Sequence, residues 1–479
     1  MDQTFSSYTH IPECPIKQYP FAYFIGIGGI GMSALARLLV AKGCRVFGYD
    51  RTDTDLVKTL RAEGITIHCE ETIAAIPETI RTHPTQTLVV YTPAIPDNSP
   101  LLGYCSKQGY ALQTRAALLG AISNTLPTVA VAGTHGKTTT SALIAHMLHH
   151  STLPMVAFVG GVVQGYETNL LHNSAFDAVE LMVAEADEFN RSFLHLCPTH
   201  SIVTSMDADH PETYASLADM EASYLQFLRQ TTQTIVVHHK VADRLQIGSD
   251  HPATCLTYGL HQGAVQATNI VADPRGSCFD CVTKDTCMTG VQLPLPGFHN
   301  IENALAAIVL CLKLGLSQTD IRLALAGFPG IKRRFSFVLE NEHVVCIDDY
   351  AHHPMEIKAL VASVRTLYPH SHLTILFQPH LFSRTHAYYK AFSEQLSLAD
   401  RVLLLPIYPA REAPMPGVTA ELILHALTCK QKSLVTMAAL ETLLTPLPEA
   451  KHQVFLLVGA GDIGEAVVGI TDLLRRLFR

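Results

Sequence analysis

The chain is 479 residues long, enough for about two to four domains, and its 48% hydrophobic content is enough to give each of them a core. A formal net charge of −8 excludes a general nucleic-acid binder, and no uncharged apolar run reaches the ~18 residues of a membrane span. The opening MDQTFSSYTH lacks the basic-then-apolar pattern of an export signal, so the 12 Cys are expected as reduced thiols in a cytoplasmic protein.

In chain order, an apolar strand in FAYFIGIGGIG (Phe21–Gly31) runs into a glycine-rich turn with Gly26, Gly28, Gly29 and Gly31. A helical pattern, Met32–Lys42, and a second strand ending at Asp50 follow. Such a βαβ unit lets the backbone approach a pyrophosphate and sets an acid for a ribose hydroxyl. It points to a nucleotide diphosphate without specifying a nicotinamide, and an ordinary βαβ turn gives the same pattern. Further strands are expected at Thr87–Tyr91 and Ala111–Gln113, on either side of the break Pro93–Pro100. This first domain is expected to span residues 1–124.

A central domain, residues 125–329, opens on TVAVAGTHGKTTTSALIAHM (Thr128–Met147). Strand, glycine turn and helix is the geometry that wraps phosphate, because backbone N–H groups and the helix dipole both face the turn. Gly133, Thr134, His135 and Gly136 form the turn, Lys137 supplies a cation for the outer phosphates, and Thr138 and Thr139 supply hydroxyls. The match is partial, since the P-loop pattern wants Gly where Val131 stands. The apolar strand Ala178–Glu188 closes on Glu185, Asp187 and Glu188, and Ser201–His210 closes on Asp207, Asp209 and His210. Two acid-tipped strands after a P-loop favour a magnesium–nucleotide site.

Tyr258–Thr289 reads as an inserted β-hairpin region. Its Cys278, Cys281 and Cys287 include one C-x2-C pair and no His, short of the four ligands of a structural zinc. Asn300 and Asn303, at i and i+3, open an apolar helix, where amides either cap the helix or meet a base edge. Gly327–Gly330 reads as a linker.

The third domain, residues 330–479, begins with Lys332, Arg333 and Arg334, suited to phosphate or carboxylate. Its strands end in DDYAHHP (Asp348–Pro354), in FQPH with His380 and Arg384 nearby, and before YPAREAP (Tyr408–Pro414). A last GxGxxG, VFLLVGAGDIG, has no acid-tipped strand after it and reads as a strand-to-helix turn. The predicted class is therefore α/β with three domains: a Rossmann-like N-terminal domain, a central P-loop ATPase-type domain with a mainly parallel sheet, and a Rossmann-like C-terminal domain.

AGTHGKTTT, EADE, SFLHL, the Asp209-His210 pair, GxHNxxN, RRF, DDYAHHP, FQPH and YPAREAP together resemble the Mur ligase family along nearly the whole chain. The resemblance implies a cytoplasmic enzyme of peptidoglycan synthesis that joins L-alanine to the lactyl carboxylate of UDP-N-acetylmuramate (UDP-MurNAc), with ATP and Mg²⁺ and through an acyl phosphate. It implies small-molecule substrates only, with no nucleic acid and no membrane insertion. By the same resemblance Lys137 and the Gly133–Thr138 backbone hold the β- and γ-phosphates, Thr138 ligates one Mg²⁺, and Glu185 and His210 ligate a second. Asn300 and Asn303 meet adenine; Arg333, Arg334 and Asp349 meet the ATP phosphates and ribose after domain closure. His352, His380 and Arg384 orient the alanine, and Gly26–Gly31 cradle the UDP diphosphate with Asp50 and His68 nearby. The chain departs from the family pattern at Ser205 and Asp207, at Phe189-Asn190, and at Leu381, where a cation near the amino-acid pocket is replaced. The alternatives are a ligase that attaches a whole tripeptide to UDP-MurNAc, a P-loop nucleotide switch, and an NAD-dependent oxidoreductase.

Overall fold

The computed structural model describes residues 18–96, 98–209, 213–247, 251–273, 275–410, 412–440, 444 and 452–478. The architecture is α/β, built on three sheets with mainly parallel pairing. The first sheet contains β1 (Phe21–Ile25), β2 (Arg45–Tyr49), β3 (Thr66–His68), β4 (Thr87–Tyr91) and β5 (Ala111–Thr114), in the order β3-β2-β1-β4-β5. All its pairs are parallel, and the order reverses between β1 and β4. Ligands of open α/β sheets bind at such a reversal, outside the carboxyl ends of the strands. Tyr23, Ile25, Val89 and Leu101 fill one side of this sheet. Ala22, Phe24, Val90 and the helix Ile30–Ala41 fill the other.

The second sheet contains β6 (Thr128–Ala132), β7 (Met155–Val163), β8 (Thr168–His172), β9 (Leu181–Glu185), β10 (His200–Val203), β11 (Thr234–His238), β12 (Thr254–Tyr258), β13 (Val265–Asp273), β14 (Gly276–Thr283) and β15 (Cys287–Leu293). Its order is β15-β14-β13-β12-β11-β10-β6-β9-β7-β8. The phosphate-loop strand β6 is buried throughout, as a strand with covered faces must be. Its two neighbours are the acid-tipped strands, with Val131 opposite Glu185 on β9 and Ala132 opposite Val203 on β10. Both strands are shorter than their apolar runs suggest. Asp187 lies past the end of β9, and Asp207 and Asp209 lie past the end of β10. The expected hairpin insert at Tyr258–Thr289 is not a separate element, because β12 to β15 prolong this sheet. Cys278 and Cys281 stand three apart on β14 and so face opposite sides, and burial pushes the Cys281 thiol up to about 12. Cys281 is thus a core residue.

The third sheet contains β16 (Ser336–Glu340), β17 (Val344–Asp349), β18 (His372–Phe377), β19 (Arg401–Leu404), β20 (Gln431–Leu434) and β21 (Gln453–Val458), in the order β16-β17-β21-β18-β19-β20. Only the β16–β17 pair is antiparallel. The last strand of the chain fills the middle of this sheet. Its GAGDIG turn leads straight into the helix Ile463–Leu477, as the sequence reading expects. The chain divides into two compact units: the first comprises residues 1–268, 280–291 and 302–328, and the second the remainder.

Two buried histidines give the first unit a pH signature. His146 lies between the Tyr166 hydroxyl, at 2.8 Å, and the Ala324 carbonyl, at 2.9 Å. Burial lowers both His146 and His200 to about 4. The unfolded chain therefore binds more protons than the folded one between about pH 4 and 6.5, and stability rises with pH through that window. The full effect is on the order of 3 kcal/mol per histidine. In the second unit Asp348, raised to about 6 chiefly by burial and against the pull of Arg333, works in the opposite sense between about pH 4 and 6. Calorimetric scans should show the first unit melting several degrees higher at pH 7 than at pH 4.5, with part of that slope missing in His146→Gln.

Candidate active site

The site is built from the turn after β6 upward. Gly133 and Gly136 have φ of +131° and +83°, values that glycine adopts without cost. A Cβ on Gly133 would strike the Thr204 hydroxyl, and one on Gly136 would strike the Asn303 amide oxygen. The turn is tied to the segment after β10: Thr134 N–H donates to the Ser205 carbonyl at 3.2 Å and His135 N–H to the Ser205 hydroxyl at 2.8 Å. The Thr204 hydroxyl donates to the His135 carbonyl, and Asp207 N–H to the Thr134 hydroxyl at 2.9 Å. Ser205, a departure from the family pattern, thus holds the back of the loop. His135 Nε2 lies 3.4 Å from the Asp207 carboxylate.

Lys137 opens the helix Lys137–His149. Its ammonium donates to the Gly133 carbonyl at 2.6 Å and pairs with the Glu188 carboxylate at 2.8 Å. Glu188 is 1% exposed. Burial pulls the lysine pKa down, but Glu188, Glu185 and Asp187 together outweigh it, so the net shift is upward and the cation persists. The Thr138 hydroxyl donates to Glu185 Oε2 at 2.9 Å, and Gly160 N–H donates to the same oxygen at 3.0 Å. A carboxylate and a hydroxyl this close are the hard oxygen donors that Mg²⁺ takes. Among the described residues no group of three or more His, Cys, Asp or Glu is arranged to hold a metal. Two such donors suit an ion that keeps most of its water, as Mg²⁺ does. His210, the third expected ligand, lies outside the described residues.

Asn300 and Asn303 share the helix Phe298–Lys313, and both are buried. Asn303 receives a hydrogen bond from Thr140 at 3.3 Å beside the phosphate loop, whereas Asn300 donates to the Pro296 carbonyl at 2.8 Å. Between them Glu302 pairs with His238 at 3.0 Å. Burial alone would raise the Glu302 carboxyl, but His238, with the Leu260 N–H and Lys240, outweighs it and the net shift is down.

In the first sheet Gly26 has φ +87° and its N–H donates to the Tyr49 carbonyl at 2.8 Å. Asp50 turns inward: Oδ2 accepts from Gly28 N–H at 2.8 Å and Oδ1 from Thr52 N–H at 3.1 Å. Its first task is therefore to hold the glycine turn. Gly29 caps the helix Ile30–Ala41, and Gly31 lies in its first turn against the Arg115 side chain. His68 pairs with the Tyr23 hydroxyl at 2.9 Å, and burial lowers its pKa.

In the second unit Asp349 accepts from Phe335 N–H at 2.7 Å and Ala351 N–H at 2.8 Å, while burial raises its pKa. Arg333 donates to the Gly459 carbonyl and lies 3.5 Å from Asp348, so it is engaged by its own sheet. Arg333 and Arg334 both lie over the Tyr350 ring, at 5.1 and 5.3 Å. The His352 and His380 rings are 5.9 Å apart, and His380 stacks on Tyr408 at 5.8 Å. Arg384 is buried in the first turn of the helix Phe382–Leu396. FQPH and YPAREAP are joined by Tyr408 N–H to Pro379 at 2.8 Å, Leu381 N–H to Tyr408 at 2.9 Å, and Ser383 N–H to Glu412 at 2.9 Å. Leu381 is itself buried, with φ +69°, so it serves the packing of this corner. Sequence reasoning passed over Arg115 and gave Ser205, Tyr350 and Tyr408 no structural task of their own. The signal for Arg115 was its place directly after the last strand of the first sheet.

Known family models match three stretches of the chain. The Mur ligase family catalytic domain matches residues 22–126, the Mur ligase middle domain residues 131–311, and the glutamate ligase domain residues 333–461. A UDP-N-acetylmuramate–L-alanine ligase of Cytophaga hutchinsonii is 40% identical over 457 residues, covering 95% of this chain and 97% of that one. One of Phocaeicola vulgatus is 42% identical over 459 residues, covering 95% and 98%. The solved UDP-N-acetylmuramate–alanine ligase of Thermotoga maritima superposes with a TM-score of 0.79 at 28% identity, covering 95% and 98%. With its phosphate loop flanked by two acid-tipped strands and near-full-length likeness to these relatives, the chain belongs to the Mur ligase family.

Proposed function

We propose that this chain is the ATP- and Mg²⁺-dependent ligase that joins L-alanine to the lactyl carboxylate of UDP-MurNAc. The single observation that carries this reading is the group Lys137, Thr138, Glu185 and Glu188 at the carboxyl edge of β6 and β9, where a cation, a hydroxyl and carboxylates converge on a phosphate-wrapping turn. The two ligase relatives near 40% identity support the substrate assignment. In our division residues 1–124 hold the UDP-sugar, 125–329 the ATP, and 330–479 the amino acid.

A carboxylate is a poor electrophile, so the lactyl oxygen first takes the γ-phosphoryl group of ATP. The new bond joins that oxygen to phosphorus, the β–γ bridge breaks, and ADP leaves. The alanine amine then attacks the acyl carbon, phosphate departs with the acyl oxygen, and the amine loses its proton. Both steps concentrate negative charge, which fixed cations and N–H dipoles stabilise best. Lys137 and the N–H groups of the Gly133–Thr138 turn meet the outer phosphates, and Asn300 and Asn303 meet the adenine. Thr138, Glu185 and His210 would hold Mg²⁺, which when bound supplies charge neutralisation at the phosphates. Gly26, Gly28, Gly29 and Gly31, with Asp50 and His68, receive the UDP portion. In the second unit Arg333, Arg334 and Asp349 serve the nucleotide, and His352, His380 and Arg384 orient the amino acid.

The test is phosphate release from ATP with Mg²⁺ and UDP-MurNAc, adding L-alanine, L-serine, glycine or the L-Ala-D-Glu-diamino-acid tripeptide one at a time. Release that needs UDP-MurNAc and is fastest with L-alanine is the expected result. Release with tripeptide alone would reassign the chain to the tripeptide-attaching branch. Release indifferent to every addition would overturn ligation in favour of a nucleotide switch.

A further inference from the structure

We propose that Arg115 is the cation that grips the diphosphate of the UDP-sugar, and that Asp187 holds it in position to do so. This rests on the UDP-sugar reading given above. Arg115 directly follows β5, whose last residue, Thr114, pairs with Tyr91 of β4, and Tyr91 pairs with Ile25 of β1. The arginine thus leaves its sheet on the carboxyl edge where the glycine turn also begins. Thr114 caps the helix that Arg115 opens, accepting from Ala117 N–H at 3.1 Å, so the backbone beneath the guanidinium is fixed.

The side chain lies against Gly31, in the first turn of the helix that follows the glycine turn. A Cβ on Gly31 would come within 2.8 Å of Arg115 Nη1 and 3.0 Å of its Cδ, so a side chain there would push the guanidinium aside. At its far end Nη2 donates to Asp187 Oδ2 at 3.1 Å. Asp187 lies just past β9, two residues beyond Glu185, and its other oxygen accepts from Phe189 N–H at 3.1 Å, which fixes the carboxylate in turn. One side chain thus joins the glycine turn of the first sheet to the acid-bearing strand end of the second, within one compact unit.

A UDP-sugar whose diphosphate sits on the glycine turn and whose carboxylate reaches the phosphoryl-transfer site must follow that path. The guanidinium carries five N–H donors in a planar fork, and the described hydrogen bonds use one of them, on Asp187. The remaining donors suit the bidentate recognition of phosphate oxygens. The pair is partly open to solvent, with side-chain exposures of 20% for Arg115 and 35% for Asp187, so an anion can reach it. Arg115 is then a binding residue for the diphosphate and Asp187 a positioning residue.

Calorimetric binding of UDP and of uridine to the full chain, without ATP, tests this, together with the KM values of UDP-MurNAc and ATP. Arg115→Ala should weaken UDP roughly ten- to hundredfold, the worth of a charge-assisted fork, and leave uridine within about twofold. The KM for UDP-MurNAc should rise in parallel while that for ATP stays level, and Arg115→Lys should recover part of the loss. UDP and uridine weakening equally, or UDP binding unchanged, would overturn the proposal. Wild-type protein that binds no UDP would instead sink the UDP-sugar reading itself.

Discussion

Replacing Lys137 by Met should slow ligation about 10²–10³-fold and destabilise the fold, and the two losses should separate in a double variant. Lys137 is the cation aimed at the phosphate turn. Removing a preorganised charge of this kind costs about 10²–10³ in kcat. The same ammonium lies 2.8 Å from Glu188, a carboxylate that is 1% exposed. Removing one partner of a buried pair leaves a buried charge uncompensated and costs about 3–5 kcal/mol. Lys137→Met should therefore melt well below the wild type. Lys137→Met with Glu188→Gln should recover most of the stability, because the buried charge is gone as well, and should remain as slow. Phosphate release and thermal melts on the same preparations decide it. Activity returning along with stability would reduce Lys137 to a structural counter-ion.

Glu185→Gln should keep the fold and lose the magnesium response. The Glu185 carboxylate receives the Thr138 hydroxyl at 2.9 Å and Gly160 N–H at 3.0 Å on one oxygen. An amide oxygen can accept both bonds, so these two contacts survive the change. The charge that attracts a hard cation is lost, however. Outer-shell partners of a metal ligand are already worth about 10–100-fold in affinity, so losing the ligand's charge should cost at least that. Titrating Mg²⁺ in the phosphate-release assay should show half-saturation shifted upward by that factor, with kcat lowered even at high Mg²⁺. An unchanged magnesium requirement would remove Glu185 from the metal site.

Lys137 and Glu185 also mark how far local sequence pattern reaches. The phosphate turn was legible because its chemistry is local: Gly133, Gly136, Lys137 and Thr138 fall within six consecutive residues. The acid-tipped strands were legible as strands, since buried parallel strands read as unbroken apolar runs. Their ends lie earlier than the apolar runs suggest, because residues such as Ala186 and Met206 stay buried beyond the last residue of each strand. The GAGDIG turn was correctly read from the lack of any acid-tipped strand after it. The β-rich stretch near Tyr258 reads as an insert because an edge extension and a free hairpin share one local pattern.

The sequence by itself determined the α/β class, the glycine turns, and the residue types able to meet phosphate, because these depend on spacing within one strand–turn–helix unit. Only the tertiary structure decided that the strands ending in Glu185 and Val203 flank β6, since strand order is set by contacts far apart in the chain. It also decided that Asp50 supports its own glycine turn, that Ser205 ties down the phosphate loop, and that Arg115 reaches Asp187. The physical reason is common to all three: a polar side chain takes whichever donors or acceptors folding brings within about 3 Å, and burial makes leaving them unpaired costly.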